Sequence, residues 1–578
     1  MTATQTPGGW GRHPVGWSVG VALFWILLFG FGGVFFSGPH IRDDHGQFRM
    51  LLQFESGHSL LQVVSHWVRG DLATRFRPLL PLILVVRTWV FGVNFFPQFL
   101  INCVAAIVTS VLGVRIAGQL GFSKSEGLTW IFLTLIGGPA VVWWFMGIPE
   151  SWAMLALFSG VTLILDEAMG TGHGGKLILG LLGIVLATMA KESFILMVPA
   201  VIGLRWRVSS LTALPTGRLY RRWPDLFLAG VAITELGWIK THVPLDQGPY
   251  GVDPLSMAIF ERLGLTVGSL FFSGGIGLAL IALVGMTFLW GKRRDTPSSW
   301  QGLSMMSLGL FAALIIVPQV SIYAKSGIFE RYLLPGRWGT AILLISYLRY
   351  VRHHYAFPLI SENVQRNLSA IAIVVGGVSC IVSVALIRWQ GTILSMLSRQ
   401  RQLPVQPLWA EKLIGIQVVL AVFGIFIGIV ALFYQSKNEP NRLDWIWGRW
   451  ILPLLVAGNM MFAFGAARIF SGEGHAIQDV GKLCQTLPQN VVIVCDPVFH
   501  SEALLTVKYY LLHSGSADTV KVALVDPDVT SEKVALPVTI LTFPGFADLG
   551  RQWLGPDAPS PQYTTPAGYA IWVIKSKK

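Results

Sequence analysis

Charge is scarce in this chain. Asp, Glu, Lys and Arg make up 13% of its 578 residues, whereas 53% are hydrophobic. Soluble domains carry about 25% charged residues, so a soluble globular fold is excluded and an integral membrane protein is indicated. Cysteine is also rare, with four in all. Cys103 and Cys380 lie in apolar runs and read as packing residues. Cys484 and Cys495 lie in the tail and are open to a disulfide if that region is outside the cytoplasm. No Cys/His spacing resembles a zinc site. Residues 471–578 contain neither a Gly-rich phosphate loop nor a nucleophile elbow. The short alternating segments of a β-barrel are missing as well.

What is present is a series of continuous apolar runs. A spanning helix needs about 20 such residues, and shorter runs serve where a helix is broken. On that rule the chain is a polytopic α-helical membrane protein with about 13 transmembrane helices. They fall near 15–37, 97–119, 127–146, 151–167, 176–190, 192–204, 224–241, 264–290, 302–323, 332–348, 367–387, 412–434 and 449–470. Residues 1–14 form a Gly/Pro-rich polar N-terminus, and the run after it reads as a signal anchor. The basic connectors are Arg205 to Arg222, Lys292-Arg293-Arg294, Arg349 to His354, and Lys437 to Arg449. All four fall on one side in this count, which the positive-inside rule makes the cytoplasm. The N-terminus is then inside, and residues 38–96 form one long external loop with amphipathic segments on the membrane. The stretch 77–93 is also apolar, but Arg87 interrupts it. Lys191-Glu192 interrupts 176–204 in the same way, and a break at an interface is cheaper than a buried charge pair.

The domain at 15–470 is followed by 471–578, which differs in kind. Val491 to Val494, Val520 to Val525 and Ile571 to Ile574 read as strands, and 501–512 reads as a helix. This is a small C-terminal α/β domain, expected in the periplasm. The net charge of +13 fits cytoplasmic Lys/Arg and anionic lipid contact better than nucleic acid, because the basic residues are split among loops on both faces.

Polar clusters interrupt the apolar background at the expected external face. They are Asp43-Asp44, then Arg75-Phe76-Arg77-Pro78-Leu79, Gly147-Ile148-Pro149-Glu150, and Lys191-Glu192. Lys325 with Glu330-Arg331-Tyr332-Leu333-Leu334-Pro335 makes a fifth. Adjacent carboxylates at a water–lipid boundary repel one another and lose solvation, which points to proton abstraction, substrate capture or a divalent cation. The external arginines suit bidentate contact with phosphate. Each cluster alone has a plainer alternative: Glu150 as the acidic start of a helix, Lys191-Glu192 as a local pair, Arg331-Tyr332 as an interface anchor.

The order of these motifs resembles the GT-C superfamily of integral membrane glycosyltransferases, and within it the protein O-mannosyltransferase and aminoarabinose-transferase group. The resemblance covers roughly 15–348. It implies a sugar donor carried on a polyprenyl phosphate in the outer leaflet; the membrane is expected to be a bacterial inner membrane, since no eukaryotic retention signal is visible. The acceptor is then a hydroxyl on a lipid, glycan or protein. It implies Asp43 as general base, with Asp44 assisting or sharing a metal ion. Arg75, Arg77 and Lys191 match basic positions, Glu150 the acidic residue after proline, and Arg331 and Tyr332 the late motif. Glu192 and Lys325 stand beside these as substrate-binding candidates. The chain departs in having Asp-Asp-His for the common Asp-Glu, and Glu for Asp after Pro149. The alternative is a lipid or glycan transporter or flippase. Transporters often show paired broken helices in two similar halves, and the break at Lys191 has no counterpart in the later spans.

Overall fold

The computed structural model describes residues 14–356 and 451–575, apart from 41–43, 171–173, 212–221, 244–262, 265, 269, 272–274, 291, 294–304, 327–333, 496–500, 524–535, 544–545, 556 and 566–567. Asp43, Arg331, Tyr332, Cys380 and the expected spans 367–387 and 412–434 lie outside the described residues.

The described residues are mostly helical. After α1 (Pro14–Phe31) come three shorter helices, α2 (His45–Glu55), α3 (Leu60–Thr74) and α4 (Leu79–Phe91). These occupy the stretch expected to be a loop. Next are α5 (Phe95–Gln119), α6 (Lys124–Leu135), α7 (Glu150–Ala168), α8 (Gly174–Ala190), α9 (Val198–Leu211) and α10 (Trp223–His242). Then follow α11 (Ile276–Trp290), α12 (Met305–Ser326), α13 (Leu334–His354) and α14 (Leu452–Gln485). Phe95–Gln119, Glu150–Ala168 and Leu455–Gln485 are long and apolar enough to cross a membrane. Shorter apolar helices include Gly16–Phe31, Leu79–Phe91, Gly174–Ala190, Ile276–Phe288 and Met305–Val320. Large apolar side chains stand exposed along α5 (Phe96, Leu100, Val104, Val108), α8 (Ile178, Leu179, Leu182) and α10 (Leu226, Ile233). An exposed apolar stripe on helix after helix suits hydrocarbon as solvent. Inside the bundle, Trp338 of α13 packs on Trp130, Phe158 and Phe311 with ring centroids 6.1, 5.1 and 5.3 Å away. Such pairs contribute about 0.5–1.5 kcal/mol each beyond area burial.

The expected span 15–37 is helical only to Phe31, with a separate 3-10 turn at Val34–Phe36, and two further spans are broken inside the bundle. The run 127–146 is helical only to Leu135; Ile136 turns extended, and a 3-10 turn follows at Gly138–Trp143. Gly137-Gly138-Pro139 explains the break, since proline has no N–H for the helical ladder and glycine favours no helix. The run 192–204 opens with a 3-10 turn at Glu192–Met197 after an extended Lys191, and α9 begins only at Val198.

Close backbone packing sets the frame for these breaks. A Cβ on Gly160 of α7 would lie 2.7 Å from the Gly180 carbonyl of α8, and one on Gly183 would meet Gly160 Cα at 2.9 Å. Small residues therefore let α7 and α8 approach closely, which brings the first residue of α7, Glu150, near the residue after α8, Lys191. At 19 residues α7 is about 28 Å long, close to the thickness of a bilayer core. Its two ends mark two faces of the bundle.

Helix α14 does not stop at 470. It runs for 34 residues, about 51 Å, and its end belongs to the core of the C-terminal domain through Ala476, Ile477, Val480 and Cys484. That domain holds a five-stranded sheet in the order β4-β3-β5-β7-β6. Its strands are β3 (Asn490–Val494), β4 (Thr519–Ala523), β5 (Val538–Thr542), β6 (Tyr563–Thr564) and β7 (Ala570–Ile574); the two-residue β1 (Lys292–Arg293) and β2 (Tyr355–Ala356) pair separately. β3 runs parallel to β4 and β5, and β7 antiparallel to β5 and β6. Along β3, Val491 and Ile493 face one apolar cluster and Val492 and Val494 the other, the period of two expected of a strand covered on both faces. The expected α/β character is thus present, with α15 (Ser501–His513) and α16 (Ala547–Leu554) as its further helices. Cys484 and Cys495 share one buried cluster without a disulfide between them.

Candidate active site

The first segment to reach the site is the one after α1. It passes under α14, where Gly38 and Gly474 touch so closely that a Cβ on Gly38 would sit 2.5 Å from the Gly474 carbonyl. Two residues later His40 is fully buried among the rings of Phe99, Phe145 and Phe470. Neither ring nitrogen has a hydrogen-bond partner. Burial lowers its imidazole to about 3, so it is neutral there. Its backbone N–H donates to Asp44 Oδ2 at 3.1 Å.

Asp44 is fully buried, and its other oxygen, Oδ1, accepts from the backbone N–H of Met146 at 3.0 Å and of Gly147 at 3.1 Å. One carboxylate thus ties the first loop to the broken segment 136–149. The same segment is held from the other side by Asn102 of α5, whose amide donates to the carbonyls of Trp143 (3.1 Å) and Phe145 (2.9 Å). Non-helical backbone at this depth needs such partners, because lipid offers none. Nearby, Arg87 of α4 donates to the Gln98 carbonyl at 2.8 Å and lies 5.6 Å from the ring centroid of Trp152.

A chain of alternating charge begins three residues beyond Gly147. Glu150 opens α7, where the helix N-terminus favours an anion. Its Oε1 is 3.5 Å from Lys191 Nζ, which is also 3.5 Å from Glu192 Oε1. Glu192 Oε2 is 3.9 Å from Arg77 Nε, and Arg77 Nη2 donates to Asp71 Oδ1 at 2.9 Å. Glu150 and Lys191 are 1% and 5% exposed, so these charges interact with little screening by water. Burial pushes the Asp71 carboxyl above its ordinary value, against the pull of Arg77. Arg75, at the end of α3, acts electrostatically on both Asp71 and Glu192.

The structure therefore joins four of the sequence-predicted residues, Arg77, Glu150, Lys191 and Glu192, in one network. Arg75 lies beside it, and Asp44 is anchored to the turn that leads into Glu150. Lys325 lies on α12. Asp71, Asn102 and His40 were missed. Asp71 had one signal, an acidic residue six positions before Arg77 at the end of an amphipathic segment. Asn102 and His40 had none beyond a single polar side chain among apolar neighbours.

The α/β domain also reaches this face. Phe48 of α2 packs against Tyr510 and His513 of α15 with centroids 6.2 and 5.9 Å away, and His513 Nδ1 is 3.2 Å from Glu55 Oε1. The helix whose N-cap is Asp44 is thereby clamped by the C-terminal domain.

Among the described residues, no group of three or more His, Cys, Asp and Glu is arranged to hold a metal ion. Asp44 has few lone pairs to spare, with two N–H donors on one oxygen and one on the other.

No protein-family model matches this chain, and a search of curated proteins gives no significant match. Among solved structures it is similar to ArnT from Cupriavidus metallidurans bound to undecaprenyl phosphate, at 14% identity and a TM-score of 0.47 over 96% of this chain and 98% of that one. It is similar to the apo state of the same protein at 15% identity and a TM-score of 0.45, over 96% and 97%.

Proposed function

We propose that this protein is a membrane glycosyltransferase that moves a hexosyl or pentosyl group from a polyprenyl-phosphate-linked donor to a hydroxyl acceptor. One observation carries the reading. Arg77, Glu150, Lys191 and Glu192 come from three separate segments, yet they meet in one partly buried network on the face where Asp44 anchors the first loop. Isolated ion pairs at an interface have no reason to converge. A site for a charged headgroup does.

The environment of Asp44 supports a division of labour within the Asp pair. A carboxylate whose two oxygens already accept three backbone N–H bonds has little lone-pair capacity left for a proton from a hydroxyl. Asp44 is then the anchor, and its chain neighbour Asp43 is the general base. Asp43 takes the proton of the acceptor hydroxyl, and the oxygen attacks the anomeric carbon. The bond to the lipid phosphate breaks with inversion, and the phosphate leaves with its electron pair. It is a good leaving group, so no general acid is needed. Arg77 has an unmet Nε donor, and with Arg75 and Lys191 it stabilises the departing phosphate. Arg331 and Tyr332 add to the donor site, and Lys325 lies on the helix that leads to them. A divalent cation, if one takes part, falls to Asp43 more than to Asp44. We place this face outside, in a bacterial inner membrane, with the α/β domain in the periplasm. The opposite face carries the basic residues Arg115, Arg205, Arg349 and Arg352, as the positive-inside rule requires of a cytoplasmic side.

The test is sugar transfer from a panel of polyprenyl-phosphate sugars by purified protein in lipid, comparing wild type with Asp43→Asn and Asp44→Asn. Asp43→Asn is expected to abolish transfer while the protein stays folded and binds donor. Asp44→Asn is expected to lower stability as well as activity. Failure of the wild type to bind any donor, with both variants behaving like it, would sink the reading and favour a transporter.

A further inference from the structure

Asp71 belongs to no motif, yet it makes the shortest contact in the charged network. It lies near the end of α3, and its Oδ1 receives Arg77 Nη2 at 2.9 Å. The two side chains are 12% and 14% exposed. Asp71 Oδ2 is buried without a hydrogen-bond partner, and so is Arg77 Nε, with Glu192 standing off at 3.9 Å. The guanidinium is thus held at one corner, and the rest of its donor fork is unspent.

A stability role does not account for this pair. Taking an Asp and an Arg out of water costs about as much as their attraction returns, and here each keeps an orphan atom that adds to the cost. What the contact does achieve is to fix the aim of a long, many-rotamer side chain before any ligand arrives. The residue before a proline is already restricted in its backbone, and Arg77 precedes Pro78. With Asp71 on Nη2 the side chain is restricted too. Ordering the arginine in advance removes that cost from anion binding. Lys191 differs, because it stands between two carboxylates, Glu150 and Glu192, at equal distances of 3.5 Å.

We propose that Asp71 is a positioning residue for the phosphate of the lipid-linked donor, acting through Arg77. It holds Arg77 by Nη2, so that the remaining N–H groups of the guanidinium are preset for the anion. The proposal rests on the reading of Arg77 as a phosphate-binding residue.

A double-mutant cycle separates the two roles. The full-length protein in mixed micelles is titrated with undecaprenyl phosphate, and the Kd is measured for wild type, Asp71→Ala, Arg77→Ala and the double variant. Arg77→Ala and Asp71→Ala are each expected to weaken binding roughly tenfold. In the Arg77→Ala background, Asp71→Ala should change Kd by less than about twofold, because its route of action is gone. Asp71→Asn keeps the volume and an oxygen that accepts from Nη2. It should lose less than Asp71→Ala in the wild-type background, and it serves if the alanine variant does not fold. In transfer assays kcat/KM for the donor should fall with Asp71→Ala in the wild-type background and change by less than about twofold in the Arg77→Ala background. If Arg77→Ala binds like wild type, the phosphate reading of Arg77 fails and this inference with it. If Arg77→Ala weakens binding but the Asp71 variants do not, positioning is overturned and the phosphate reading stands. Positioning is likewise overturned if the Asp71 variants weaken binding equally in both backgrounds.

Discussion

The two ends of α7 carry the same residue types and use them differently. At the C-terminal end, Asp166 takes Arg115 and a 2.7 Å hydrogen bond from Gln119, while Arg205 joins Glu167 at 3.1 Å and Asp225 at 2.9 Å. Trp206 adds a 2.7 Å bond to Asp225. At the N-terminal end, Lys191 is 3.5 Å from both of its carboxylates, and both Glu150 oxygens are buried without a hydrogen bond. The first arrangement is closed by short, directional contacts. The second is neutralised at longer range, and neither Glu150 oxygen accepts a hydrogen bond. Buried charges paired only at 3.5 Å return little for the desolvation they cost, so the N-terminal end is a poor clasp for the bundle. On the reading proposed above, the first is a structural clasp and the second is part of the donor site.

The largest effect that tests this comparison comes from breaking each end and then repairing its charge. Lys191→Met should cost about 3–5 kcal/mol by stranding Glu150, and should abolish transfer. Adding Glu150→Gln should recover much of the stability, read by thermal unfolding in detergent, but none of the transfer. At the other end, Arg205→Met should be about as destabilising. There, adding Asp225→Asn should recover stability, and the specific activity of the folded fraction should match wild type. Recovery of transfer in the Glu150→Gln/Lys191→Met protein would erase the distinction between the two ends.

A smaller loss is expected from Asn102→Leu, which removes both hydrogen bonds to the 143–145 backbone. Unfolding should become easier by about 1–3 kcal/mol, and the turn that offers its N–H groups to Asp44 should loosen. Hydrogen exchange at Met146 and Gly147 should rise, while amides in α9 and α10 stay protected.

The smallest effect, under about 1 kcal/mol near pH 6, is a pH dependence. His40 is held at about 3 in the folded protein against about 6.5 when free. Between those values the unfolded chain binds a proton that the folded one does not, so stability is full above about pH 6.5 and falls as pH drops toward 3. His40→Phe suits the surrounding rings and should flatten this part of the curve between about pH 4 and pH 7. An unchanged acid limb would show that other groups govern it.

Much of the site was legible because charge in an apolar chain is expensive and therefore rarely idle. Arg77, Glu150, Lys191 and Glu192 stand out for that reason alone. The α/β tail was legible from its β-branched runs, and α8, α10 and α12 from continuous hydrophobicity. The break inside 127–146 was hidden, because residues 139–146 are as apolar as a helix; Gly137-Gly138-Pro139 was the available sign. His40 and Asn102 were illegible, since what they do depends on which backbone groups lie opposite. Asp71 was legible only as an acid near an arginine.

By itself the sequence determined that the chain lives in a membrane, where its charges cluster along the chain, and that a mixed α/β segment closes it. Those follow from composition and period, which act residue by residue. The tertiary structure decided which charges meet. It put Asp44 onto three backbone N–H groups, Asp71 onto Arg77, and the C-terminal domain against the helix that Asp44 begins. Most of these pairings join residues tens to hundreds of positions apart. Close packing of α7 on α8, and of α14 over the first loop, sets which atoms come within hydrogen-bond reach, and no local pattern encodes that distance.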